Sequence, residues 1–306
     1  MPTFPTLTDA LRASRLAPPA GRVRMVLDTD TYNEIDDQYA VAHVLGSPER
    51  LDVEALYAAP FHNDRSTGPG DGMERSYDEI NRLLDLMTLG AKPPVFKGAT
   101  AYLDPAAPQR TAVTDDLIAR AMRSDPDDPL YVVAIGAITN VAAAMLLEPR
   151  IIERIVVCWL GGHALHWPDT REFNLKQDIP AARVVLDSGV PMILFPCGGV
   201  VDRLLTTVQE LDACLAGRSK LADYLVDISR KYNKTGRPIW SKVIWDIAPT
   251  AWLINPAWAP THLVHSPVLS TEGTWSVNPN RHLIRIASAV HRDPIFTDVF
   301  DKIARL

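Results

Sequence analysis

Five carboxylates fall within ten residues of one another at Asp28, Asp30, Glu34, Asp36 and Asp37, directly after the apolar run at 23–27. On a solvated surface such a run is harmless. Here it continues a segment that reads as a buried strand, and two carboxylates about 4 Å apart repel by roughly 4 kcal/mol at an effective dielectric of 20. A positive group must offset that repulsion, and a bound divalent cation is the simplest one. Asp28 and Asp30 stand two apart at a strand end and so share a face, while Asp36 and Asp37 open the next helix, where its dipole favours anions. Alone, the Asp36-Asp37 pair is also ordinary helix-start chemistry. Joined to Asp28 and Asp30, it points to metal binding or catalysis.

The elements that must hold these acids follow from periodicity. Apolar strands at 23–27, 53–58, 95–96, 130–135, 155–160, 192–195 and 284–287 alternate with amphipathic helices at 35–45, 73–89, 115–124, 138–147, 179–187, 221–232, 245–254 and 293–306. That alternation predicts an α/β fold with one open, mostly parallel sheet flanked by helices, whose carboxyl edge is where ligands bind. Residues 1–21, with prolines at 2, 5, 18 and 19, read as a surface arm with a short helix at 8–15. Residues 22–306 show no linker or repeat and read as one catalytic domain.

Composition narrows the partners. A formal charge of -6 without a basic stripe argues against nucleic acid. No apolar run reaches the roughly 20 residues that span a bilayer, and no secretory leader is evident, so the expectation is no membrane partner and a cytoplasmic protein. Cys158, Cys197 and Cys214 are odd in number and far apart, which predicts reduced core thiols.

The acidic run resembles the N-terminal signature of the nucleoside hydrolases, calcium-dependent enzymes that cleave the N-glycosidic bond of ribonucleosides. Asp28, Asp30, Asp36 and Asp37 match the four acids of Asp-x-Asp-Pro-Gly-x-Asp-Asp, although Thr31-Tyr32-Asn33-Glu34-Ile35 replaces the Pro-Gly turn and is two residues longer. Further along, Ala134-Ile135-Gly136-Ala137-Ile138-Thr139-Asn140 is similar to the family's Gly-x-Leu-Thr-Asn segment, and Gly161-Gly162 to its glycine cluster. Glu172-Phe173-Asn174 matches its Glu-Phe-Asn element, and Trp245-Asp246 stands where it commonly has His-Asp. The resemblance spans about 22–306.

The resemblance implies that Asp30, Asp37, Asp246 and the Ile135 carbonyl hold Ca2+, that Asp28 supports them from behind, and that Asp30 is the general base for an attacking water. It implies ribose contacts from Asp36, Glu172, Asn174 and Asn63, the last of which could equally make a turn, and a small-molecule nucleoside substrate. His166 occupies the spacing of a family asparagine in the substrate site. Trp245 cannot supply the proton that the common histidine gives the leaving base; it can stack on the base, as can Tyr232 and Trp240, and the proton source stays open among His62, His163 and His166. Family members are commonly homo-oligomers, so a dimer or tetramer is expected.

Two rival functions compete. Asp28-Thr29-Asp30 also opens a magnesium phosphatase of the haloacid dehalogenase class, although Tyr32 departs from that pattern. The second is a nucleoside or sugar binder on the same scaffold, catalytically impaired where Trp245 replaces the acid. Gly68-Pro69-Gly70-Asp71-Gly72 lacks the Lys-Ser/Thr of a phosphate loop and reads as a flexible entry loop that can act as a lid.

Overall fold

In the computed structural model, which describes residues 3–125 and 127–306, strand β1 (Val23–Thr29) is buried throughout except at Arg24. Burial on both faces is what a near-continuous apolar run demands, and its side chains feed two cores, Met25 and Leu27 into one and Val26 into the other. The remaining strands are β2 (Leu51–Ala58), β3 (Val95–Lys97), β4 (Leu130–Ala134), β5 (Ile155–Leu160), β6 (Met192–Phe195), β7 (Leu205–Thr206), β8 (Lys242–Val243), β9 (Thr261–His265), β10 (Val268–Leu269), β11 (Trp275–Ser276) and β12 (Leu283–Ala287).

The main sheet runs β3-β2-β1-β4-β5-β6-β12-β9. Its pairings are parallel except for the edge strand β9, which runs antiparallel to β12. Strand order reverses between β1 and β4, and a crevice opens at such a switch point. Asp28 pairs there with Ala134, and the Ile135 N–H donates to the Asp28 carbonyl at 2.9 Å. The sheet edge thus joins the acidic run to Ile135.

Helices α1 (Asp9–Leu16), α2 (Asp37–Leu45), α3 (Pro69–Leu86), α4 (Ala112–Arg123), α5 (Thr139–Leu147), α6 (Phe173–Gln177), α7 (Ile179–Ser188), α8 (Val208–Leu215), α9 (Lys220–Tyr232), α10 (Ile247–Ile254) and α11 (Arg292–Ile303) fill the intervals. No helix among the described residues is long and apolar enough to cross a membrane. The N-terminal arm is docked: Leu16 is buried, Arg12 donates to the Gly189 carbonyl at 2.8 Å, and Arg285 of β12 donates to the Leu16 carbonyl.

One expectation is corrected. The glycine run at 68–72 is the start of α3, with Pro69 at its first position, where the missing N–H costs nothing. A Cβ at Gly72 would lie 2.0 Å from the Phe61 carbonyl oxygen, and one at Gly70 2.9 Å from that of Thr100. These glycines permit close packing of helix against backbone, and they are no flexible lid.

Candidate active site

After β1 the chain turns sharply, with the N–H groups of Tyr32 and Asn33 donating to the Asp30 carbonyl at 2.7 and 2.9 Å. It then enters α2 at Asp37. Asp246 arrives from the residue before α10, and Asp36, Asp37 and Asp246 each present an oxygen within 4.8 Å of the others. Asp30 adjoins this group, close enough for the charges of Asp37 and Asp36 to act on it. It also lies against the backbone after Ile135, since a Cβ on Gly136 would fall 3.0 Å from its Cγ.

Several oxygens of these acids lack hydrogen-bond partners. Asp28 Oδ2, both Asp30 oxygens, Asp36 Oδ1 and Asp37 Oδ2 are buried and accept no hydrogen bond among the described residues. Burial pushes Asp28 up to about 7 against the hydrogen bond it accepts from Asn140 at 2.7 Å. Burial, then the neighbouring charge of Asp36, pushes Asp37 up to about 7, and burial followed by carboxylate repulsion raises Asp30 and Asp246 as well. Crowded orphan oxygens of this kind are a donor set for a hard cation such as Ca2+. The expected ligands Asp37 and Asp246 are brought together, Asp30 stands beside them, and Asp36 joins the same group.

Asp36 differs from its neighbours by having a cation. Lys242 in β8, itself buried, lies 3.4 Å from Asp36 Oδ1, donates to Glu34, and donates to the Val243 carbonyl at 3.0 Å. Tyr232 donates to the other Glu34 oxygen at 2.8 Å. Burial works against charge on both partners, yet Lys242 and Glu34 hold each other ionised, the lysine raised and the carboxyl lowered. Trp245 donates its backbone N–H to Asp36 Oδ2 at 3.1 Å.

A cavity of about 730 Å³ opens over this cluster, lined by Asp36, Asn63, Glu172, Asn174, Trp245 and Asp246 among others. Asn174 donates to the carbonyls of Ile135 and Leu160 at 3.0 and 3.1 Å, which fixes its amide and leaves its oxygen for a ligand. Glu172 caps α6 by accepting from the N–H groups of Gly162, Asn174 and Leu175 at 2.9, 2.8 and 3.1 Å. Asn63 both lines the cavity and makes a turn, accepting from the Arg65 N–H at 2.9 Å and donating to the Asn33 carbonyl at 3.1 Å.

His166 is corrected. It is exposed and outside the cavity lining, because a tight turn closed by Trp167 N–H to the Ala164 carbonyl at 2.9 Å carries it outward. His163 lines the cavity, with Nδ1 accepting the Gly198 N–H at 3.1 Å and burial lowering its pKa. His62 is also exposed, and Trp240 packs on Tyr232 at 6.5 Å without reaching the lining. The three thiols are free, and buried Cys197 reaches the cavity wall. Neither Lys242, a lysine in a basic stretch, nor Arg65 stands out along the chain, because only tertiary packing buries one and brings the other to the cavity.

Comparison with known proteins agrees with this geometry. The family model described as "Inosine-uridine preferring nucleoside hydrolase" matches residues 25–296. The chain is 25% identical over 256 residues to the pyrimidine-specific ribonucleoside hydrolase RihA of Citrobacter koseri, covering 72% of this chain and 76% of that one. It is 26% identical over 262 residues to the RihA of Escherichia coli O1:K1, covering 76% and 79%. Among solved structures, a purine-preferring ribonucleoside hydrolase from Gardnerella vaginalis superposes with a TM-score of 0.73 at 21% identity, over 92% of this chain and 98% of that one. An inosine-guanosine nucleoside hydrolase superposes with a TM-score of 0.74 at 17% identity, over 93% and 99%. These likenesses of structure establish the fold.

Proposed function

The chain belongs to the inosine-uridine preferring nucleoside hydrolase family, and from that premise we propose that it hydrolyses the N-glycosidic bond of ribonucleosides to free base and ribose, with Ca2+ held by Asp30, Asp37, Asp246 and the Ile135 carbonyl. The observation that carries this reading is the set of buried, orphaned oxygens on Asp28, Asp30 and Asp37 at the switch point of the sheet. Family membership sets the phosphatase alternative aside.

The residues divide the work. Asp30 takes the proton of the attacking water as its oxygen bonds to C1′ and the glycosidic electron pair leaves with the base nitrogen. Asp36, whose carboxyl burial raises and Lys242 pulls back down, accepts from a ribose hydroxyl, the free Asn174 oxygen accepts from another, and Asn63 and Glu172 close the sugar site. The same carboxylates counter the positive charge that develops on the ribose ring. Trp245 offers its ring to the base. Bound calcium supplies Lewis-acid activation of the water and an anchor for sugar hydroxyls.

The test is chromatographic. The calcium-supplemented protein, incubated with inosine, uridine, cytidine and adenosine, releases free base and ribose from at least one of them, and EDTA stops the release until calcium is restored. Calorimetric binding of ribosides without cleavage across the panel would overturn the hydrolase and leave the binder.

A further inference from the structure

Resting on the hydrolase reading, one question is how the base leaves without an acid beside it. The Trp245 indole N–H can donate a hydrogen bond but is no acid that could protonate a leaving base. His163 and Phe173 line the cavity from the segment after β5, while Tyr32 and Tyr232 line it beside Arg65.

That separation follows from the sheet. With the order β2-β1-β4-β5, Asn63 and Arg65 follow β2 on one side of the acidic cluster, and His163, Glu172 and Asn174 follow β5 on the other. Tyr232 belongs to the first side, because its hydroxyl donates to Glu34 and its ring lies 5.9 Å from the Arg65 guanidinium. A nucleoside whose ribose is held between the acids and Asn174 can turn its base toward Tyr232, Trp245 and Arg65, all of which line the cavity.

Arg65 is built to meet it. Its Nη1 donates to the carbonyls of Tyr32 and Glu34 at 2.9 and 2.6 Å, and its plane packs 4.8 Å from the Tyr32 ring centroid. Both carbonyls belong to the loop that is two residues longer than the family pattern. Nε and Nη2 make no hydrogen bond among the described residues. The other basic side chains of the lining are engaged, Arg82 with Glu79, Lys231 with Asp227 and Lys234 with Asp64, whereas Arg65 forms no ion pair among the described residues.

We propose that Arg65 receives the departing base as an anion, its free guanidinium N–H groups bonding a carbonyl oxygen adjacent to the glycosidic nitrogen, and that it thereby selects pyrimidine ribosides such as uridine. As water oxygen bonds to C1′, the C1′–N bond breaks and its electron pair passes to the base, where it spreads onto the carbonyl oxygen facing Arg65. The water proton goes to Asp30, and the released base takes a proton from solvent. A purine presents no carbonyl beside its glycosidic nitrogen, so it loses this contact.

The experiment compares uridine with p-nitrophenyl β-ribofuranoside, whose leaving anion its own ring stabilises, on the calcium-loaded protein and its Arg65→Met variant. Loss of a preorganised donor predicts a drop in kcat/KM for uridine of roughly 10²–10³-fold. The nitrophenyl riboside falls by less than about tenfold. Equal losses on both substrates, or none on uridine, would overturn the inference while leaving the hydrolase intact; a wild-type protein that cleaves neither removes both. Should Arg65→Met fail to fold, Arg65→Lys retains the charge without the fork, and the same inequality between the two substrates decides.

Discussion

Lys242 Nζ lies 3.4 Å from Asp36 Oδ1, while Asp30 and Asp37, in the same buried cluster, have orphaned oxygens and no cation of the chain within ion-pairing distance among the described residues. That contrast divides four neighbouring acids into two kinds. Asp36 has a lysine of the chain that opposes the rise burial imposes on its carboxyl, whereas burial and neighbouring carboxylates raise Asp30, Asp37 and Asp246 with no cation of the chain paired to them among the described residues.

Removing the lysine exposes that division. Lys242→Met leaves Glu34 and Asp36 without their cation, and breaking a buried pair costs about 3–5 kcal/mol. The Glu34 side chain is 36% exposed, so solvent screening reduces the expectation to about 2–3 kcal/mol in urea unfolding. The double variant Glu34→Gln, Lys242→Met recovers part of the loss because the two sites are coupled. A single variant as stable as the parent would mean that solvent already neutralises this group.

Asp30→Asn separates catalysis from stability. Loss of the general base predicts a fall in kcat of roughly 10²–10⁴-fold. The calcium-free protein is expected to melt no lower than the parent, because the change removes a buried charge that Asp37 and Asp36 disfavour. Steady-state kinetics and calorimetry read the two outcomes, and retention of most activity would exclude Asp30 as the base.

Much of this site was legible because its chemistry is local. Asp28, Asp30, Asp36 and Asp37 lie on one strand end and one helix start, and the apolar runs of β1, β4, β5 and β6 read directly as buried strands. Edge strand β9 was not legible, since its half-exposed residues show no apolar face. Neither was the short helix α8. Lys242 and Arg65 lie far from the acids in sequence, and only the folded chain shows that one pairs with Asp36 and that the other is clamped by the carbonyls of Tyr32 and Glu34. His166 failed because spacing was counted along a loop whose turn sends His163 inward in its place.

Gly72→Ala tests the close approach that replaced the expected flexible loop. The added Cβ would meet the Phe61 carbonyl at 2.0 Å, a contact with backbone on both sides that no rotamer can relieve. Overpacking of this kind predicts a loss of about 3 kcal/mol, read by urea unfolding. Because Phe61 leads directly to Asn63 in the cavity wall, KM for the riboside should rise as well. An unchanged midpoint would show that the segment yields freely, as a lid would.

The acidic cluster should also give the protein a calcium-dependent response to pH. Burial pushes Asp28 and Asp37 up to about 7 in the folded, metal-free chain, against about 3.9 for an unfolded aspartate. Between those values the folded state holds more protons than the unfolded one, so stability is greatest at the acid end and falls as pH rises from about 4 to about 7. Asp30 and Asp246, raised by the same burial and crowding, act in the same direction. Calcium binds the ionised carboxylates, so saturation with it stabilises most at the neutral end and flattens or reverses the slope. Calorimetric melting of EDTA-treated protein at about pH 5.5 and about pH 7.5, with and without calcium, measures both effects. A metal-free protein that melts equally at the two pH values and gains nothing from calcium would show that the orphaned oxygens of Asp30 and Asp37 are not a cation site.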